Sequence, residues 1–172
     1  MKYILLIFLS LIYIESFSQI SEQDLKKIKS QVETESIALK AKLSKNSSEA
    51  FFVEFQIDTF KIERLLVLKI NLDYSTLGMI EATNEAEKEY DLLLNKYYKL
   101  LLNKLESNDK LILQEAQRNW IKFRDSERAL INLMSDEKYS GGGTIQGIIN
   151  STTYLGMTRT RVFELMNHLV RN

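Results

Sequence analysis

Glu87, Asp91 and Asp125 are the side chains in this sequence whose types could do chemistry, since a pair of carboxylates can cleave a glycosidic bond. Asp125 directly follows Arg124, however, and an aspartate beside an arginine is usually held ionised. That suits neither a proton donor of raised pKa nor a cleft that distorts a sugar. The chain has no cysteine, which removes a thiol nucleophile, and nothing in it has the spacing of a metal-ligand cluster. The single histidine, His168, lies near the C-terminus with no serine partner at a telling distance; it reads as a last-turn residue, where a cation suits a helix end. The run Gly141 to Gly143 is not followed by Gly-Lys-Ser/Thr, so it is no phosphate-binding loop. No site meets the geometric requirements of catalysis even in outline. The expectation is a protein that is not an enzyme and uses no cofactor or metal.

A denser constellation runs from Glu115 to Ser126. It holds the only tryptophan, Trp120, with Gln117, Arg118, Phe123, Arg124 and Asp125. Gln117, Trp120 and Arg124 recur at three- and four-residue spacing and therefore share one helical face, while Arg118 and Asp125 share another. Such residue types are enriched in binding hot spots. They also serve a helix interface, where an arginine one turn from a tryptophan stacks on it or satisfies a carboxylate. The structural reading is preferred because both arginines share faces with apolar seam residues, but both readings stay open.

The elements that must position these residues are helical. Proline is absent, and four of the six glycines fall between Gly141 and Gly147. A chain of 172 residues reads as one domain with a genuine core. Basic and acidic residues balance at 23 each, which speaks against non-specific attraction to nucleic acid or anionic lipid. Residues 1–18 read as a signal peptide: Lys2, an apolar run from Tyr3 to Ile14 broken only by Ser10, then Ser16 and Ser18 at the positions a signal peptidase reads. The run falls short of the roughly 20 residues a membrane span needs. The mature protein is expected to start at Gln19, to keep no stable membrane span, and to be periplasmic or secreted.

Ser21, with Asp24 three places on, marks a helix start. The helix it opens carries a thin stripe of Leu25, Ile28, Val32, Leu39 and Leu43 and is expected to be peripheral. A polar break at Lys45 to Ser48 follows. From Glu49 to Leu72, Phe52, Phe55, Thr59, Ile62 and Leu66 keep helical spacing, although Phe51, Val53, Phe55 and Ile57 also alternate as a strand would; length favours helix. Beyond Asp73 to Thr76, a seam of Met79, Thr83, Ala86, Tyr90, Leu93, Tyr97 and Leu100 predicts a long bundle helix. Asp91, Asn95 and Tyr98 lie on its adjacent face. Ser107 to Asp109 predicts a short turn, so the next helix, with the stripe Ile112, Ala116, Trp120, Phe123, Leu130 and Met134, should pack antiparallel and face to face with its predecessor. Asp91 lies about 17 residues before that turn and Arg124 about 16 after it, nearly level. The expectation is a buried Asp91–Arg124 pair, with Arg118 as the second-choice partner and Asn95 or Gln117 filling the remaining lone pairs. After the glycine connector, Ile145, Leu155, Thr158, Val162, Leu165 and Leu169 predict a closing helix. The fold class is thus all-α: an antiparallel helical bundle of about four to five helices without disulfides.

Taken in order, Thr76-x-x-Met79, Asp91-x-x-Leu94-Asn95-x-x-Tyr98, Gln117-Arg118-x-Trp120-Ile121-x-Phe123-Arg124-Asp125, Gly142-Gly143 and Arg161-x-x-Glu164-Leu165 resemble the lysozyme inhibitor LprI-like N-terminal domain family. The resemblance covers about residues 70–170. It divides the chain into a signal peptide (1–18), an N-terminal helical extension (19–69) and the LprI-like helical domain (70–172). It implies an exported bacterial helical domain without cofactor or catalytic residues and, for some members, inhibition of lysozyme. Family members commonly carry disulfide-forming cysteines near the positions of Ala82 and Arg128, which this chain lacks.

Two functional classes follow. One is an envelope interaction protein whose partner is a lysozyme or another cell-wall-active protein; the other is a structural helical module. Lysozymes are usually basic, so an inhibitor should present acidic surface, for which Glu81, Glu85, Glu87 and Glu89 are the candidate patch.

Overall fold

The computed structural model describes residues 20–46 and 50–171. The expected leader at 1–18 and Ser47 and Ser48 of the polar break lie outside those residues. Among the described residues there are five long helices and one single turn: α1 (Glu22–Asn46), α2 (Ala50–Leu72), α3 (Thr76–Lys104), α4 (Ser107–Met134), α5 (Glu137–Ser140) and α6 (Ile145–Val170). The all-α class is what the spacing predicts, and the segment from Phe51 to Ile57 is helical rather than a strand. None of these helices is long and apolar enough to cross a membrane.

Local chemistry sets the helix ends. Ser21 Oγ accepts the Asp24 backbone N–H at 3.1 Å, satisfying one of the donors a helix start leaves over. Ser75 does the same for Gly78 at 3.0 Å, while Asp73 Oδ1 accepts the Ser75 N–H at 2.9 Å. The connection from α3 to α4 is tighter than the sequence predicts. Only Leu105 and Glu106 lie between the helices, and Ser107 and Asp109 already belong to α4.

α3 is the axis of the bundle. Its backbone lies closest to α6, then to α2, and α1 packs on the outer side of α2. Tyr90 and Tyr97 are fully buried, and Leu94 and Leu101 join Phe55, Ile62, Leu155, Val162, Leu165 and Met166 in one core. Burying each large apolar side chain stabilises by about 1.5–3 kcal/mol. The predicted seam is right at Thr83, Ala86, Tyr90 and Tyr97, but further along Leu94 and Leu101 are the buried residues in place of Leu93 and Leu100. A straight helix turns every 3.6 residues and slips by about 20° per heptad against a 3.5 repeat, which favours the i+4 neighbours of Tyr90 and Tyr97 over the i+3 ones. Phe52, expected inside, is largely exposed, and Val53 is buried instead.

Each buried tyrosine carries its hydroxyl to a carboxylate on α2. Tyr90 donates to Glu63 at 2.6 Å and Tyr97 to Asp58 at 2.9 Å. Burial first, and the adjacent carboxylate second, push both phenols above the usual tyrosine range. α1 is better anchored than its thin stripe predicts. Ile28, Val32 and Ser36 are buried, and Arg64 on α2 grips Glu35 through Nε at 2.6 Å and Nη2 at 3.0 Å.

The α4 prediction needs correction. Ile112, Phe123, Leu130 and Met134, expected to face α3, are exposed, and the α3 and α4 backbones stay apart along most of their length. The inward residues are Leu113 and Gln117, with Trp120, Arg124 and Arg128 half-buried behind them. The opposing surfaces of α3 and α6 supply Asp91, Glu87 and Arg161, so long polar side chains answer them where an apolar stripe was expected.

Candidate functional site

Because α4 stands off from α3, the bundle has an open groove of about 520 Å³ between them. Asp91, Leu94, Asn95 and Tyr98 form one wall; Gln114, Gln117, Arg118, Trp120, Ile121 and Arg124 form the other. The groove therefore collects seven of the nine residues singled out in the sequence. It does not include Phe123, which lies on the exposed flank of α4, or Asp125, which reaches the groove only through its bond to Arg124.

Gln117 sits at the groove base and is only 7% exposed. Its carboxamide oxygen accepts Arg161 Nε at 3.1 Å, which fixes the amide orientation. Arg161 in turn holds Glu164 at 2.9 Å and lies 5.9 Å from the centroid of the Trp120 ring. Arg124 approaches the same ring at 5.3 Å. Two guanidinium groups so placed restrain the indole by attraction to its π system.

Arg124 spends two of its nitrogens on Asp125: Nε at 3.0 Å and Nη2 at 2.9 Å. Its Nη1 faces Asp91 at 3.7 Å, an ion-pair distance but too long for a hydrogen bond. The Asp91 side chain is 45% exposed, so the expected buried pair is instead a solvated one. The physical reason is the separation of α3 from α4, which leaves the carboxylate at the groove mouth. Asn95 donates to the Asp91 carboxylate at 3.3 Å and to its backbone oxygen at 2.8 Å, whereas Gln117 turns to Arg161 instead. Arg118, the second-choice partner, pairs with Glu115 at 2.5 Å on its own helix and not with Asp91. The Arg118 guanidinium beside Glu115 lowers that carboxyl below its usual range.

The more enclosed tie between α3 and α4 lies one turn away. Glu87 Oε1 accepts from Arg128 Nη2 at 2.5 Å and from the buried Thr158 hydroxyl at 3.0 Å. Arg128 also stacks on Tyr154, 4.8 Å from the ring centroid. Glu87 thus points into the bundle, away from Glu81, Glu85 and Glu89, and does not belong to the acidic patch expected for it. Each of the three carboxylates considered for catalysis is engaged by an arginine: Glu87 by Arg128, and Asp91 and Asp125 by Arg124. Among the described residues no group of three potential ligand side chains could hold a metal ion.

Arg161 is the residue the spacing argument missed. It lies on α6, far from the constellation in sequence, and only its place in the late Arg161-x-x-Glu164 pattern marks it. A family model described as lysozyme inhibitor LprI matches residues 71–165, which contain the groove and Arg161 together. Neither the curated proteins nor the solved structures contain a match to this chain.

Proposed function

The chain belongs to the lysozyme inhibitor LprI family, and from that premise we propose that it is an exported, non-enzymatic binding protein whose target is a lysozyme or another cell-wall-active protein. The observation that carries this reading is the groove itself. Trp120, Tyr98, Arg118 and Arg124 are gathered at an accessible concavity, and these residue types dominate the energy of protein interfaces. The ion pairs that hold the arginines there are half-exposed and weak, so a partner can exchange them at little cost. Glu81 and Glu89, exposed on α3, supply acidic surface toward a basic partner. The Arg128–Glu87 pair ties α3 to α4 non-covalently, in a chain without cysteines.

Inhibition assays with purified protein against lysozymes of several classes test the proposal. Saturable inhibition that is lost in Trp120→Ala, with helical content retained, is the expected result. A lack of inhibition throughout would favour the second reading, a structural module. That reading rests on the internal bonds of Gln117 and Arg128, which tie α4 to α6 and α3.

A further inference from the structure

α4 carries on its outer flank an apolar stripe that the bundle does not use. Ala116, Phe123 and Leu130 repeat every seven residues, and Ile112 and Met134 lie four residues beyond either end. Seven residues bring a helix back to the same face within about 20°, so the five form one line, the pattern of a helix–helix seam. Ile112 is 71% exposed and Phe123 57%, with Leu130 and Met134 about half exposed and Ala116 exposed between them. The helix is held to the bundle from its other side, through Gln117 to Arg161, Arg128 to Glu87 and Asn132 to Tyr154. The stripe also lies away from the α3–α4 groove. Ile121 lines that groove, and Phe123, two residues on, sits about 160° round the helix from it.

Symmetry, area and charge select a second copy of this chain as the occupant. Counting outward from Phe123, Ala116 and Leu130 stand seven residues away on either side, and Ile112 and Met134 eleven. A two-fold interface requires that where residue i meets j, j also meets i. An antiparallel pair of α4 helices centred on Phe123 meets that condition at every residue of the stripe. It sets Phe123 against Phe123 at the axis, the small Ala116 against Leu130, and Ile112 against Met134. The four large side chains leave on the order of 500 Å² of apolar surface uncovered, at the upper end of what a monomer exposes. Pairing would bury about 1,000 Å² over two copies before any rim residue is counted, the size at which an interface becomes specific. The chain is neutral overall, so two copies are not held apart by net charge. A membrane surface would favour a basic flank, whereas the charges beside the stripe, Glu115, Lys122 and Glu127, carry no basic excess. We propose that this chain forms an antiparallel homodimer through the outer flank of α4, with Phe123 on the two-fold axis. The pairing leaves the groove of each copy open and does not depend on what the groove binds.

Sedimentation velocity of the purified protein gives the first test. The mass should rise from one chain to two within a concentration series from about 1 μM to 1 mM, where a small apolar interface dissociates. Phe123→Asp brings two like charges together at the axis and should raise the midpoint by about a hundredfold or more at unchanged helical content. Leu92→Asp, at a comparably exposed apolar position on α3, should leave the midpoint where it is. The chain has no cysteine, so single introduced thiols read the register. Phe123→Cys should crosslink to itself under mild oxidation. Ala116→Cys and Leu130→Cys should each remain single alone and crosslink to one another when mixed. Self-crosslinking of Ala116→Cys would indicate a parallel pair and overturn the arrangement. A single chain at every concentration would overturn the dimer, as would an equal effect of Leu92→Asp. A protein that stays single yet adheres to neutral lipid vesicles through Phe123 would assign the stripe to a membrane instead.

Discussion

Arg124 Nη1 stands 3.7 Å from Asp91 Oδ1 across the mouth of the α3–α4 groove, while its guanidinium carbon lies 5.3 Å from the centroid of Trp120. The two contacts are unequal in kind. The first is a solvated ion pair, whose worth is limited by screening and side-chain entropy; the second is packing against a half-buried ring.

A double-mutant cycle separates them. Asp91→Ala should cost less than about 1 kcal/mol, and its coupling to Arg124→Ala should be about 0.2–1 kcal/mol, the range of exposed pairs. Arg124→Ala alone should cost more than Asp91→Ala, because it also uncovers Trp120. Denaturant unfolding of the four proteins gives these values. A coupling of 3 kcal/mol or so would mean that the pair behaves as buried, against the exposure of Asp91.

The Glu87–Arg128 pair should behave differently. The Glu87 side chain is 17% exposed, and its Oε1 serves both Arg128 and the fully buried Thr158 hydroxyl. Glu87→Ala strands both donors, and Arg128 already has a buried Nε without a partner. A loss of roughly 2–4 kcal/mol is expected, approaching that of a broken buried pair. Chemical denaturation of Glu87→Ala beside Asp91→Ala makes the comparison, and the prediction fails if Asp91→Ala is the more damaging.

How far the sequence reveals these relations depends on which side chains do the packing. Around α3 the core is apolar and aromatic, so the spacing of Ala86, Tyr90 and Tyr97 suffices to find it. Along α4 hydrophobicity points the wrong way, because beyond Leu113 the inward face is built from Gln117, Arg124 and Arg128 while Ile112 and Phe123 face out. The usable signal was charge register. Glu87 and Asp91 are four residues apart on α3, Arg124 and Arg128 four apart on α4, and the antiparallel turn matches them in reverse order. Arg161 could not be placed by spacing at all, since α6 reaches α4 only through the tertiary fold.

Two glycines give a matched pair of opposite sign. Gly141 caps α5 at φ +78° and its N–H donates to the Glu137 carbonyl at 3.0 Å. Nothing lies near the Cβ that an alanine would add, so the cost of Gly141→Ala is backbone strain alone, about 1–2 kcal/mol. Gly156 lies within α6, also with open space around its absent Cβ. There Gly156→Ala should stabilise by about 0.5–1 kcal/mol through the lost freedom of the unfolded chain. Thermal unfolding should move in opposite directions for the two variants; a shared direction would contradict the conformations assigned here.

The attachment of α1 should be sensitive to acid. Hydrogen bonds from Arg64, and then from Gln31, hold the Glu35 carboxyl at about 2, down from 4.5. A carboxyl with a depressed folded pKa contributes stability that is fully present above its unfolded value and disappears as pH falls through its folded one. The contribution should therefore be intact above about pH 5 and fade between about 4.5 and 2. The pair is partly exposed, so added salt should weaken it as well. Other carboxylates titrate in the same interval, and the informative quantity is the difference between the wild type and Glu35→Gln. That variant cannot ionise and makes only a neutral bond to Arg64. Its melting temperature should lie below the wild type at pH 7 and converge on it as pH approaches 2. Amide exchange along α1, between Ile28 and Leu39, should rise over the same interval in the wild type, while the core around Tyr97 stays protected. A melting-temperature gap that stays constant down to pH 2 would show that Arg64 does not distinguish the charged carboxylate from its neutral form, and the salt bridge would then contribute nothing to holding α1 on α2.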